Sequence, residues 1–260
     1  MIRLRTVSLT ASIALASPAA TAQFLVPNLT DDGWDRGITP LSTYAEWDFF
    51  DSPTGPNAPG VQSVVGTLPE DAPEFDAFDA NAPTSGSFIT GGGNIYTFSG
   101  INTPVVISPG FGLGYGFKTT AIVQVRTLGV EPDQETFVLN SRRRPIEIIE
   151  LDRTDVGGGF GGTQLDTLVR FEFARNDLAH EVLFEAESTS LSFDKAAIDT
   201  FVEPMDCPVD LDLNDAVDFF DVIEFLKDVD ADDGDWNTDG ETNAEDIVEC
   251  ITEAEAGCEP

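Results

Sequence analysis

The chain reads DLDLNDAVDFFD from Asp210 to Asp221 and DWNTDGETNAED from Asp235 to Asp246, two copies of one acidic pattern that begin 25 residues apart. Both copies place an oxygen-bearing side chain at the first, third, fifth, ninth and twelfth positions. A hard cation such as Ca²⁺ takes six to eight oxygen ligands at about 2.3–2.6 Å, and a tight loop with oxygens on alternate residues presents them to one centre. The spacing therefore predicts two calcium-binding loops.

The two copies predict matching sets of ligands. In the first loop these are Asp210, Asp212, Asn214, the carbonyl oxygen of Ala216, Asp218 directly or through a water, and Asp221. In the second loop they are Asp235, Asn237, Asp239, the carbonyl oxygen of Glu241, Asn243 and Asp246. Both loops close on Asp, whereas an EF-hand loop closes on the longer Glu. The alternative, solvated acidic turns, does not explain why register and hydrophobic phase repeat together.

Each loop is followed by apolar residues at the period of one buried helix face. They are Val222, Ile223 and Leu226 after the first loop, and Ile247, Val248 and Ile251 after the second. Each repeat is therefore predicted as a loop followed by a helix. At the start of the first helix, we expect at least one of Phe219 and Phe220 to pack in the small core; the alternative is an exposed anchor for a protein partner.

Two loop-helix units that end in Asp and lie at the end of a secreted chain resemble a type I dockerin. The frame from Cys207-Pro208 to Ala256-Gly257-Cys258 looks like the GC-type dockerin domains that terminate many bacterial secreted proteins. The resemblance covers residues 207–260. It implies a noncovalent anchoring or assembly module that binds two calcium ions and docks onto a cohesin-like or other cell-surface protein.

The chain departs from the dockerin pattern in two places. Asp215 stands at the sixth loop position, where Gly normally permits a sharp turn and where the second loop has Gly240, so the first loop is expected to bind more weakly. The tenth and eleventh positions, usually small and polar in dockerins that bind cohesins, hold Phe219-Phe220 and Ala244-Glu245. A standard cohesin is therefore not the expected partner.

The repeat also helps to sort the three cysteines. Cys250 stands where the first repeat has Phe225, which predicts a buried small hydrophobe or free thiol. Cys207 and Cys258 bracket the module, and an oxidising compartment permits a disulfide that closes it end to end. The competing pairing is Cys250 with Cys258.

The N-terminal residues have the pattern of a secretory signal. Arg3 and Arg5 precede an apolar run that ends in Ala20-Thr21-Ala22, which predicts a signal peptide over 1–22, a mature start at Gln23 and a secreted or cell-surface protein. No later stretch approaches the roughly 18 apolar residues of a membrane span, so no transmembrane segment is expected.

The net charge of −34 restricts the possible partners. Such a field repels nucleic acid and anionic membranes. Lys227 is the only basic residue from Cys207 onward, so the module repels itself unless cations are bound. Calcium is then part of its fold, and we expect the metal-free module to be loosened or unfolded.

Residues 23–202 have the texture of a β domain, with short alternating segments between Gly, Pro, Asn and Ser. Val169, Phe171 and Phe173 alternate with polar or small residues, which predicts a strand with one buried face. Many such segments favour a jelly-roll-like, two-sheet β-sandwich. The predicted fold is therefore mainly β, with a small C-terminal α module joined through a linker at 203–206.

Trp34 to Phe50, rich in aromatic residues and ahead of the predicted strands, has two interpretations. Packing at the edge of the core is the default for rings such as those of Tyr44 and Trp47. A stacking platform for polysaccharide is the alternative, because flat apolar faces beside polar groups suit sugar rings.

No catalytic constellation is visible in the sequence. His180 is the only histidine, which excludes a multi-histidine zinc site, and we expect it to be a hydrogen-bonded or exposed residue at a strand edge. The leading hypothesis is a non-catalytic protein whose β-sandwich binds carbohydrate or protein. The alternative is a polysaccharide-degrading glycoside hydrolase with the same anchor, since that chemistry needs only two carboxyl groups and the chain has 47 acidic residues.

Overall fold

The computed structural model describes residues 33–78, 87–98, 105–157 and 162–258, so the predicted signal peptide and the mature start at Gln23 lie outside it. Its elements are β1 (Ser42–Trp47), β2 (Val61–Val65), β3 (Asp76–Ala77), β4 (Phe88–Ile89), β5 (Ile95–Thr97), β6 (Val106–Pro109), β7 (Gly114–Gly129), β8 (Pro132–Leu139), β9 (Glu147–Asp155), β10 (Thr163–Asn176), β11 (Ala179–Ala186), β12 (Leu191–Pro204), α1 (Phe219–Asp230) and α2 (Ala244–Ala256). The predicted fold class is confirmed: antiparallel β-structure dominates and two helices follow it.

The strands form two antiparallel sheets. The larger has the order β2-β1-β12-β7-β10-β9, with β5 on the early part of β12 and β4 on β5. The smaller has the order β3-β6-β11-β8. Because β6, β7 and β8 alternate between the sheets, and β10, β11 and β12 do so again, the chain wraps in a jelly-roll-like manner.

The core lies between the sheets and explains why alternation predicts the strands well. Phe171 and Phe193 from the larger sheet meet Phe137 and Phe184 from the smaller one, and all four are fully buried. Each such side chain contributes about 1.5–3 kcal/mol by leaving water. The inward set of β10 is the predicted one, Val169, Phe171 and Phe173.

The prediction that the segment from Trp34 to Phe50 lies ahead of the regular strands is wrong. The segment contributes strand β1. This strand pairs with β2 on one side and β12 on the other, and all six of its residues are buried. Its sequence, STYAEW, lacks alternation because its outer face is also covered: Arg36 lies over the Tyr44 ring at 3.5 Å. Trp34, Tyr44 and Trp47 are buried, so the stacking-platform interpretation is wrong for these rings.

The predicted linker at 203–206 is largely part of the sandwich. Glu203 and Pro204 are the last residues of β12 and pair with Lys118 and Phe117 of β7. The amide of Met205 then donates to the carbonyl of Gly116 at 2.9 Å. The chain therefore passes from the sheet to the C-terminal module with almost no free connection.

Candidate metal centre

The first loop is shaped by two buried carboxylates that accept backbone hydrogen bonds from inside the loop. Asp210 accepts from the amides of Asn214 and Asp215 at 3.1 and 3.0 Å. Asp221, only 1% exposed, accepts from the amides of Leu211 and Asp218, both at 2.7 Å. These bonds hold the backbone of the loop around the two carboxylates.

The second loop repeats this pattern residue by residue. Asp235 accepts from the amides of Asp239 and Gly240 at 3.0 and 2.9 Å. Asp246, fully buried, accepts from the amides of Trp236 and Asn243 at 2.9 and 2.8 Å. The sequence offset of 25 residues is therefore also an equivalence of hydrogen bonds.

Both loops turn through the left-handed backbone region at the same places. Leu213 and Thr238, at the fourth position, have φ of 58° and 61°. At the sixth position Asp215 has φ of 65° and Gly240 has φ of 90°. Asp is among the few residues that tolerate this region at modest cost. Asp215 therefore does not change the path of the first loop.

Three carboxylates converge in the first loop. Asp210, Asp212 and Asp221 each offer a ligand oxygen, and these oxygens lie within 4.8 Å of one another. Oδ1 of Asp212 is buried and has no hydrogen-bond partner. Burial, followed by the negative charge of Asp221, raises the pKa of the Asp212 carboxyl above its ordinary value. An orphaned oxygen among acidic neighbours is the environment that a hard cation with oxygen ligands relieves.

The other predicted ligands of the first loop lie around this triad. The Asn214 amide donates to Asp212 Oδ2 at 2.9 Å, and its oxygen accepts from the amide of Ala216 at 2.8 Å. Asp218 is the N-cap of α1 and accepts from the amide of Phe220 at 2.7 Å. These hydrogen bonds organise the loop around the triad.

The second loop has fewer carboxylates at its predicted side-chain ligand positions, three against four in the first loop. Among the described residues the acidic triad of the first loop is the single group of this kind, since Asn237 and Asn243 stand where the first loop has Asp212 and Asp218. Asp239 accepts from the amide of Glu241 at 2.9 Å, and Asn243 caps α2. Burial tends to raise the pKa of Asp246, but the amides of Asn243, Asn237 and Trp236 outweigh it and lower that pKa.

The cysteines are arranged as the repeat suggests. Cys207 and Cys258 lie at disulfide distance, with their Cα atoms 5.3 Å apart, which agrees with the end-to-end pairing rather than with Cys250–Cys258. Cys250 is free and buried, in the same apolar cluster as Phe225. Burial, followed by the charge of Glu253, raises the pKa of the Cys250 thiol to about 12.

The predicted buried faces of the two helices are partly wrong. Phe225 and Cys250 are the fully buried apolar residues, whereas Leu226, Val248 and Ile251 are exposed. Both Phe219 and Phe220 are exposed as well, by 70% and 60%, so the expectation that one of them packs in the core is also wrong. The helices are short and their module is small, so one side of each remains open to solvent.

His180 is neither exposed nor hydrogen-bonded, contrary to the prediction. It lies on β11 between β6 and β8, is fully buried, and neither ring nitrogen has a hydrogen-bond partner. Burial lowers the pKa of His180 to about 4, against a smaller opposing effect of Asp177. Gly110 allows this packing, because a Cβ there would lie 2.9 Å from His180 Nε2. The imidazole is a neutral core group.

The residues of the contact surface between the sandwich and the module were not predicted. Tyr115, Arg142 and Arg175 of the sandwich meet the module beside a cleft of about 360 Å³. The one signal in the sequence is Arg142-Arg143-Arg144, the only run of three basic residues in this acidic chain.

Comparison with known proteins adds no relative. No protein-family model matches the chain, and the searches of curated proteins and of solved structures found no match. The described residues include no helix that is long and apolar enough to cross a membrane.

Proposed function

We propose that this chain is a secreted or cell-surface, non-catalytic protein that is anchored or assembled through its calcium-dependent, dockerin-like C-terminal module. The observation that carries the proposal is the repeated loop, in which the first and last carboxylates of each copy accept the same backbone hydrogen bonds. Random acidic turns have no reason to share that network.

Support for metal binding is strongest at the first loop. Its three converging carboxylates and the orphaned oxygen of Asp212 fit a hard cation with oxygen ligands, and calcium is the ion that such loops accommodate. When bound, calcium neutralises these carboxylates and stabilises the loop. The second loop contributes Asp235, Asp239 and Asp246 with amide oxygens, and is proposed as the second site.

Calorimetric titration of the mature chain, residues 23–260, with calcium tests this proposal. We expect two binding events, and Asp210→Asn should weaken the event at the first loop at least about tenfold, because it removes a ligand charge. Glu255→Gln, an exposed change of equal charge in α2, is the matched control and should bind like the wild type. Absence of calcium binding in the wild type would refute the proposal.

Phe219 and Phe220 are the proposed contact for a docking protein. Their rings are exposed and 6.5 Å apart at the start of α1, and a pair of large apolar groups on an acidic surface suits a protein partner. Retention of the purified chain on cell envelopes should depend on calcium and should be lost when both are changed to Ser. Ile38→Ser, which removes an equally exposed apolar residue of the sandwich, should leave retention unchanged.

A further inference from the structure

The sandwich contacts the module through Tyr115, Arg142 and Arg175, a surface that we call the seat. The ring of Tyr115, on β7, stacks on Trp236 of the second loop at 4.7 Å and meets Phe225 of α1 edge-on at 5.5 Å. Its hydroxyl donates to Asp228 at 2.8 Å. One side chain of the sandwich therefore contacts both repeats of the module.

Beside this ring, two arginines of the sandwich form ion pairs with residues at the end of α1 and just after it. Arg142 donates to Asp233 at 2.6 Å and lies 3.2 Å from Asp228. Arg175 donates to the other carboxylate oxygen of Asp233 at 2.5 Å. Asp177, which also belongs to the sandwich, forms an ion pair with Arg175, with its Oδ1 2.8 Å from Nε. Because both guanidinium groups are mostly buried and one is fixed on its own domain, these pairs favour one orientation of the module.

Both proposed calcium loops contribute a side chain to the contact with the sandwich. Leu211 and Trp236, the second residues of the two loops, place their side chains in the apolar cluster that Ala174 and Tyr115 of the sandwich complete. Their amides donate to Asp221 and Asp246, the residues that close the two loops, at 2.7 and 2.9 Å. The carboxylate that completes each proposed ion site therefore also fixes the residue that packs on the sandwich.

Two differences between the repeats lie at the same surface. The first repeat has Leu213 and Asp228 at positions that contact the sandwich cluster and the arginines. Their equivalents 25 residues later are Thr238 and Glu253, both exposed. The two repeats therefore differ at two positions where the first repeat contacts the sandwich.

We infer that calcium acts as a latch: bound calcium keeps the module in contact with the sandwich. This inference rests on the proposed calcium binding. Without the ion, Asp210, Asp212 and Asp221 repel one another within 4.8 Å, the loop opens, and Leu211 leaves the cluster. With the ion, the loops close and Tyr115, Arg142 and Arg175 hold the module in place. Since coupling between two sites is reciprocal, weakening the seat also weakens calcium binding at loops that the altered residue does not ligate.

The test compares the mature chain with Tyr115→Ala and Arg142→Gln, each in calcium and in chelator. The readouts are the calcium affinity by calorimetry, the tryptophan emission, to which Trp236 contributes beside the buried Trp34 and Trp47 of the sandwich, and the radius of gyration by solution scattering. We expect chelation to shift wild-type emission to the red and to enlarge the radius of gyration. Both variants should bind calcium about tenfold more weakly, although neither residue is a predicted ligand. A β-sheet circular dichroism signal checks that the sandwich stays folded.

Arg153→Gln is the matched control, because Arg153 pairs with Glu131 and Glu150 on the exposed surface of the sandwich and should leave the calcium affinity unchanged. If the wild type binds no calcium, the proposed function fails and the latch with it. If calcium binds normally but chelation changes neither emission nor radius, and Tyr115→Ala keeps full affinity, the latch is overturned while the proposed function stands.

Discussion

Replacing Asp221 by Asn separates the structural role of this carboxylate from its proposed role as a calcium ligand. The residue is buried and accepts hydrogen bonds from the amides of Leu211, Asp212 and Asp218. An Asn side chain has the same shape, and its one oxygen can keep the bonds to Leu211 and Asp212. Its amino group then faces the amide of Asp218, so one bond is lost and the charge is removed.

The expected effect of Asp221→Asn on the free energy of unfolding is large in calcium and small in chelator. At a calcium concentration a hundredfold above Kd, a site adds about 2.7 kcal/mol to the free energy of unfolding. A tenfold weaker site loses about 1.4 kcal/mol of this, and the lost bond of Asp218 costs about 1–3 kcal/mol more. In chelator, the same change relieves repulsion with Asp210 and Asp212, which is about 3–4 kcal/mol for each pair at an effective dielectric constant of about 20 and is reduced further by solvent screening. We therefore expect Asp221→Asn to be clearly destabilised in calcium but close to the wild type in chelator.

Urea unfolding of residues 23–260 measures both quantities, with helical circular dichroism reporting on the module and tryptophan emission on Trp236 together with Trp34 and Trp47. The difference in unfolding free energy between calcium and chelator should shrink by at least about 1.4 kcal/mol in Asp221→Asn. Glu255→Gln should keep the full difference. An unchanged difference in Asp221→Asn would show that this carboxylate does not serve a bound ion.

Three further changes test other parts of the structure. Replacing Cys207 and Cys258 together by Ser should lower the unfolding free energy by about 4 kcal/mol in the chain-entropy model, and equal denaturation midpoints with and without reductant would contradict the bridge. Phe171→Ala, in the centre of the core, should cost about 3–5 kcal/mol in urea unfolding, whereas the exposed Phe88→Ala should cost far less. Because burial holds the pKa of His180 at about 4, below its unfolded value of about 6.5, the native state takes up this proton later than the unfolded chain. The free energy of unfolding is therefore unaffected by this group above about pH 6.5 and falls by about 3 kcal/mol as the pH is lowered to about 4. His180→Leu should remove this part of the pH dependence. Identical pH dependences of the unfolding free energy in the wild type and the variant would refute the argument.

The sequence alone predicted the fold class and the loops, because both depend on short-range patterns. Alternation identified β10 since its inner and outer faces differ in chemistry along the strand. The loops were predicted from spacing, and their defining hydrogen bonds join residues no more than ten positions apart, as from Leu211 to Asp221. Such bonds need little help from the rest of the chain.

The tertiary structure decided everything that depends on what covers a residue. β1 was missed because the strand is buried on both faces, which removes alternation. Phe219 remains exposed because the module is too small to cover both sides of α1, and His180 is buried because β6 and β8 flank its strand. The seat of the module joins Arg175 to Asp233 across 58 residues of chain. No local pattern encodes such a contact: it exists only once the sheets have brought distant segments together.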